Sequence, residues 1–108
     1  MSDCIFCKII KGEIPTEFLY QDEEVVAFRD IKPSAPVHIL IVPKKHIEDF
    51  IISKEFIYNK MLKVAKKLIK KYNLDKIGYR LVVNGGGAAL VPHLHIHLLG
   101  RITIDREA

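Results

Sequence analysis

Histidine occupies every second position in the run Pro92-His93-Leu94-His95-Ile96-His97-Leu98-Leu99-Gly100, and the residues between the histidines are aliphatic. A β-strand sends successive side chains to opposite faces. On a strand the run therefore sets three imidazoles on one face and Leu94, Ile96 and Leu98 on the other. The aliphatic face needs a core, so the segment must belong to a sheet with something packed on one side. The imidazole face gains little as packing. Histidine is the side chain best suited to nucleophilic, acid–base or metal work near neutral pH, which places the chemistry on this strand. Pro92 lacks an amide donor and fits the first strand position or a bulge.

The rest of the chain reads as one small domain over residues 1–108. At 49% hydrophobic residues it can fill a core. No apolar run approaches the roughly 20 residues of a membrane-spanning helix. The start Met1-Ser2-Asp3-Cys4 shows no basic and then apolar leader, which favours the cytoplasm. The net charge of +4 favours an anionic partner. The lysines at 54, 60, 63, 66, 67, 70 and 71 read as a solvated helix face, without the dense basic patch and docking motif of a nucleic-acid binder.

Residues 4–11 form a short helix by pattern, with Ile5, Phe6, Ile9 and Ile10 apolar and Gly12 as its stop. Glu17–Gln21, Val25–Arg29, Val37–Val42, Gly78–Asn84 and Pro92–Arg101 read as strands. Ser53 is the expected N-cap of a long helix reaching about residue 72. Phe56, Ile57, Met61, Val64, Ala65, Leu68 and Tyr72 form its core stripe. One helix, three strands, a long helix and two strands define an α+β fold with a five-stranded antiparallel sheet.

Further groups stand out. Gly85-Gly86-Gly87 can turn several N–H groups toward an anion, and Asn84 adds an amide. Cys4-Ile5-Phe6-Cys7 has metal-ligand spacing. On spacing alone, zinc and two buried free thiols stand nearly level, since zinc needs two more ligands. His38 lies inside a β-branched strand, and His46 follows it. Asp30 opens a proline-rich loop at a strand end, where a carboxylate can receive two ribose hydroxyls. The histidine run itself allows metal ligation, covalent catalysis or a phosphate site. Alternate strand residues lie roughly 6.5–7 Å apart, so three rings on one ion would require a bend.

Together these residues resemble the histidine triad superfamily, within it the Hint branch of nucleotide-binding phosphoramidases. The resemblance rests on Cys4–Pro15, Ala27–Ile47, Gly78–Asn84 and His93–Arg101, in that order. It implies that His95 attacks the α-phosphorus of a purine nucleotide conjugate to form a nucleotidyl-histidine that water hydrolyses. It also implies that His97 donates to the phosphate and that His38 supports the site. Asp30 would hold the ribose, and the base would lie among Ile5, Phe6, Ile9 and Ile31. Asn84 and the backbone of Leu90 would face the phosphate. Structural zinc would be held by Cys4, Cys7, His46 and His93. A homodimer is the family manner. Leu90 stands where Hint proteins carry a serine, and the chain ends at Ala108 without the longer members' extension. Adenosine phosphoramidate hydrolysis is the expected activity. Dinucleoside polyphosphate hydrolysis, low-turnover nucleotide sensing and a zinc-stabilised interaction module are the alternatives.

Overall fold

A computed structural model describes residues 4–102 of the chain. The expectations for the Met1–Asp3 start and the Ala108 end lie outside the described residues. The elements run α1 (Ile5–Ile10), β1 (Tyr20–Gln21), β2 (Val25–Arg29), β3 (Val37–Pro43), a 3-10 turn (Phe50–Ile52), α2 (Glu55–Lys71), a second 3-10 turn (Leu74–Lys76), β4 (Tyr79–Val82) and β5 (Ile96–Gly100). The five strands form one antiparallel sheet in the order β1-β2-β3-β5-β4. The predicted α+β architecture is the observed one.

Strand alternation gives this sheet two buried faces. Val25, Ala27, Ile39, Ile41, Leu94, Ile96 and Leu98 point to one side, where Ile57, Met61, Val64, Ala65 and Leu68 of α2 cover them. Val26, Phe28, Leu40 and Val42 point to the other, against Cys4, Phe6, Cys7 and Ile9. Burial on both faces explains why Val25–Phe28 and Ile39–Val42 read as unbroken apolar runs. Each fully buried aliphatic side chain contributes about 1.5–3 kcal/mol by leaving water. The α2 side, which holds Leu98, Met61, Ile41 and Leu74 at or near zero exposure, is therefore the mechanical base of the molecule. His38, His95 and His97 lie on the α1 side.

Several boundaries differ from the sequence reading. The triad strand begins at Ile96, not Pro92. His93 and His95 precede it in a bent segment, where the His93 amide bonds to the Val91 carbonyl at 2.8 Å and the Leu94 amide to the Ile47 carbonyl at 2.6 Å. With no donor at Pro92 and these amides engaged elsewhere, the ladder cannot extend backward. The alternation persists through the bend, because Leu94 still joins the α2 core. β4 starts at Tyr79 because Gly78 has φ +93°, and a Cβ there would collide with the Ile102 carbonyl. β1 contains only Tyr20 and Gln21, although Leu19 still bonds Ala27 at 2.8 Å.

Ser53 does not cap α2. Its hydroxyl donates to the Phe50 carbonyl at 2.6 Å and closes the preceding 3-10 turn, which leaves Lys54 at the cap without a side-chain bond. Phe56 is 65% exposed and lies outside the core stripe. The turn Phe50–Ile52 before α2 is also apolar and exposed. No described helix is long and apolar enough to cross a membrane.

Candidate functional site

α1, the end of β2, β3 and the bent approach to β5 surround a cavity of about 580 Å³. Ile5, Phe6 and Ile9 of α1, Asp30 and Ile31 after β2, His38 of β3, Asn84 and Leu90 of the glycine loop, and His95 and His97 all line it. The structure thus brings together every residue expected to bind nucleotide or act in catalysis. Ile31 and Leu90 stand at the rim, 87% and 100% exposed. Pro15, Thr16, Phe28 and Leu40, which the sequence reading did not assign to the site, also line the cavity, as does Arg29 beside Asp30.

The backbone fixes the ring nitrogens. Carbonyl oxygens can only accept, and amide N–H groups can only donate. His95 Nδ1 lies 2.7 Å from the His93 carbonyl, so Nδ1 carries a proton and the neutral ring has its lone pair on Nε2. This main-chain acceptor lies on the bent segment before β5. Phe6 packs edge-on against the His95 ring at 5.0 Å between centroids. The Ser34 amide, in the loop before β3, donates to His38 Nδ1 at 2.9 Å. His38 Nε2 must then carry the proton and donate to His97 Nδ1 at 2.8 Å. The relay leaves His97 with its proton on Nε2. Register makes this pairing possible, because His97 lies opposite Leu40, two residues from His38 on the same face.

Both rings of the relay are held neutral. Burial is the chief cause of the lowered pKa of His97, which falls to about 4, and the neighbouring His95 and His38 push the same way. Burial also lowers His38, with Asp30 opposing. The Asp30 carboxylate takes the Lys32 amide at 2.8 Å and stands 3.5 Å from His38 Nε2.

A second cluster sits at the base of α1. Cys4 Sγ lies 3.3 Å and Cys7 Sγ 3.6 Å from His93 Nδ1, and Cys7 Sγ lies 3.3 Å from His46 Nδ1. Donor atoms of all four residues fall within 4.8 Å of one another. Ligand bonds of 2.3 Å for sulfur and 2.0–2.1 Å for nitrogen give tetrahedron edges of roughly 3.5 Å between S and N. The observed separations match such edges. The Pro43 carbonyl accepts from His93 Nε2 at 2.8 Å, which leaves Nδ1 free to ligate and supplies the outer hydrogen bond that orients a metal-binding imidazole. Burial pushes the Cys7 thiol up, with Cys4 adding to the effect, so Cys7 without a cation stays protonated. The four residues therefore fit a metal ion in both donor type and spacing.

Sequence reasoning identified the side chains of both clusters. It missed the backbone groups that orient them, the Ser34 amide and the Pro43 carbonyl, which carry no residue-type signal.

The chain belongs to the HIT domain family, whose model matches residues 11–104. It is 43% identical over 103 residues to a purine nucleoside phosphoramidase of Escherichia coli (strain K12), covering 91% of this chain and 87% of that protein. It is 46% identical over 114 residues to a 14 kDa zinc-binding protein of Zea mays, covering 92% and 82%. A HIT family hydrolase from Clostridium thermocellum superposes with a TM-score of 0.92 at 42% identity, covering 99% of this chain and 97% of that one.

Proposed function

We propose that this protein hydrolyses purine nucleotide conjugates of the adenosine phosphoramidate type, at the α-phosphorus, through a nucleotidyl-His95 intermediate. The observation that carries the reading is the His95 ring, whose Nδ1–H is committed to the His93 carbonyl while the residue lines the cavity beside His97. A neutral imidazole nitrogen is a competent nucleophile and a good leaving group once the ring is protonated. In the first step His95 Nε2 forms a bond to phosphorus, and the bond from phosphorus to the leaving amine breaks. The amine departs with a proton drawn from solvent. In the second step water adds to phosphorus, its proton returns to the bulk, and the bond to His95 breaks, releasing the monophosphate. His97, with its proton on Nε2, donates to the phosphate oxygens as charge develops. His38 holds His97 in that tautomer. Asp30 receives ribose hydroxyls, and Ile5, Phe6, Ile9 and Ile31 flank the base. Asn84 and the Leu90 backbone face the phosphate.

Cys4, Cys7, His46 and His93 hold zinc in this reading. Its closed S2N2 shell supplies structural cross-linking and leaves no open position for water. The zinc-binding relative and the tetrahedral spacing support it. Residues 1–108 act as one domain in the cytoplasm and pair as a homodimer. Support for pairing is the edge strand β4, which exposes Tyr79 and Leu81, together with the exposed Phe56 and Leu62 of α2.

Leu90 favours a second reading, a nucleotide sensor with little turnover. Its fully exposed side chain has no hydroxyl to assist the leaving group. Incubation with adenosine phosphoramidate separates the two. Release of AMP and ammonia supports the hydrolase, whereas tight AMP binding without turnover supports the sensor. Failure to bind AMP would contradict both.

A further inference from the structure

Asp49 stands outside both clusters, just before the 3-10 turn Phe50–Ile52, yet it grips the glycine loop. One carboxylate oxygen accepts from the Gly86 amide at 2.7 Å. The other accepts from the Ile51 amide at 3.1 Å. These bonds, Gly86 first, hold the carboxyl below the ordinary carboxylate range. Contact is close enough that a Cβ on Gly85 would lie 2.8 Å from Asp49 Oδ1. Gly86 and Gly87 adopt φ +62° and +88°, the left-handed turn that glycine permits. The loop around them, Asn84 to Ala88, is solvent-exposed and has no buried side chain to anchor it. Its two ends, Asn84 and Ala88, line the nucleotide cavity.

The segment carrying Asp49 is itself well fixed. His46 belongs to the metal cluster, and the Ile47 carbonyl takes the Leu94 amide beside His95. We propose that Asp49 is a positioning residue that sets the Asn84–Ala88 wall against the phosphate and leaving group of the bound conjugate. This rests on the phosphoramidate reading above. The wall has no apolar anchor, so an ionic tether from a rigid segment decides where its amides point.

The test is a double-mutant cycle of Asp49→Ala and Gly85→Ala, read by turnover of adenosine phosphoramidate, AMP affinity and the Gly86 amide resonance. Asp49→Ala is expected to lower kcat roughly 10–100-fold through loop misplacement, to leave AMP affinity within about threefold and to shift the Gly86 amide upfield. Gly85→Ala is expected to do the same by pushing the carboxylate off its amides. Added to Asp49→Ala, it is expected to cost no more than about twofold, because the atom it strikes is gone. Independent, multiplicative losses would overturn the tether. So would an unchanged Gly86 resonance, or kcat unchanged in folded Asp49→Ala. Absence of turnover in the wild type would instead defeat the hydrolase reading, and the Gly86 resonance would still report on the contact.

Discussion

Two clusters among the described residues offer the donor types that ligate metals, and their interatomic distances separate them. In Cys4, Cys7, His46 and His93 the nearest donors stand 3.3–3.6 Å apart, edges that an ion can span. In Asp30, His38 and His97 the two ring nitrogens stand 2.8 Å apart, which is a hydrogen bond. The Ser34 amide decides the second case, because it occupies His38 Nδ1 and forces the proton onto Nε2. The Pro43 carbonyl decides the first, because it takes the proton of His93 Nε2 and leaves Nδ1 bare. One backbone group per cluster thus assigns equivalent rings to different chemistry. Residue type alone does not separate a ligand from a donor. The direction of the outer hydrogen bond does.

The sharpest way to break the contrast lies between the clusters. His95→Ala is expected to lower turnover by more than about a thousandfold, as removal of a nucleophile does, with AMP affinity changed less than about fivefold. Turnover near the wild-type level would remove His95 as nucleophile. The next largest effect belongs to the sulfur cluster. Cys4→Ser with Cys7→Ser is expected to abolish tight zinc uptake and to lower Tm by about 10 °C or more, given about 4–8 °C per kcal/mol in a domain of this size. Residual tight zinc in the double variant would mean that Asp30, His38 and His97 also bind metal, and the contrast would fail.

Asp30→Ala is expected to weaken AMP binding roughly 10- to 150-fold, since a charged hydrogen bond is worth roughly 1.5–3 kcal/mol. It should do so far less for a 2′,3′-dideoxyribose analogue, as calorimetry can show. Equal losses for both would place Asp30 away from the ribose. Acid should sharpen the picture of the relay. A histidine with a depressed folded pKa binds fewer protons folded than unfolded between about pH 6.5 and 4. Stability is therefore full above that window and falls as pH drops through it. His97, at about 4, contributes that loss, so His97→Gln is expected to flatten the urea-denaturation slope against pH in that window. An unchanged slope would argue that His97 is not held neutral. The smallest effect expected is from Leu90→Ser, a few-fold gain on alkyl amine leaving groups and less on aryl ones. An equal gain on both would leave the absent hydroxyl without a role.

How much of this was legible in the sequence follows from the same distinction. The alternation from His93 to Leu98 correctly sorted imidazoles from core side chains, because Leu94, Ile96 and Leu98 can be buried only on one face. Cys4 and Cys7 stood out by their spacing, and their grouping with His46 and His93 came from the family resemblance. The bend before Ile96 was not legible, since it arises from amides of His93 and Leu94 bonding to Val91 and Ile47. His93 sits in the sulfur cluster, whereas His95 and His97 line the cavity. Ser53 and Phe56 were misread for a related reason. The 3-10 turn ahead of α2 captured the serine hydroxyl, and the exposed side of the helix kept an aromatic ring. Propensity and pattern could see neither.

The central claim is covalent chemistry at one of these rings. Rapid acid-free quenching of the protein with adenosine phosphoramidate, followed by proteolysis and mass spectrometry, tests it directly. The expected result is a single adenylyl group on His95 of the peptide containing residues 93–97, absent in His95→Ala and lost on standing as AMP appears. Steady turnover with no adduct at His95, or an adduct on His97 or His38 instead, would contradict the account.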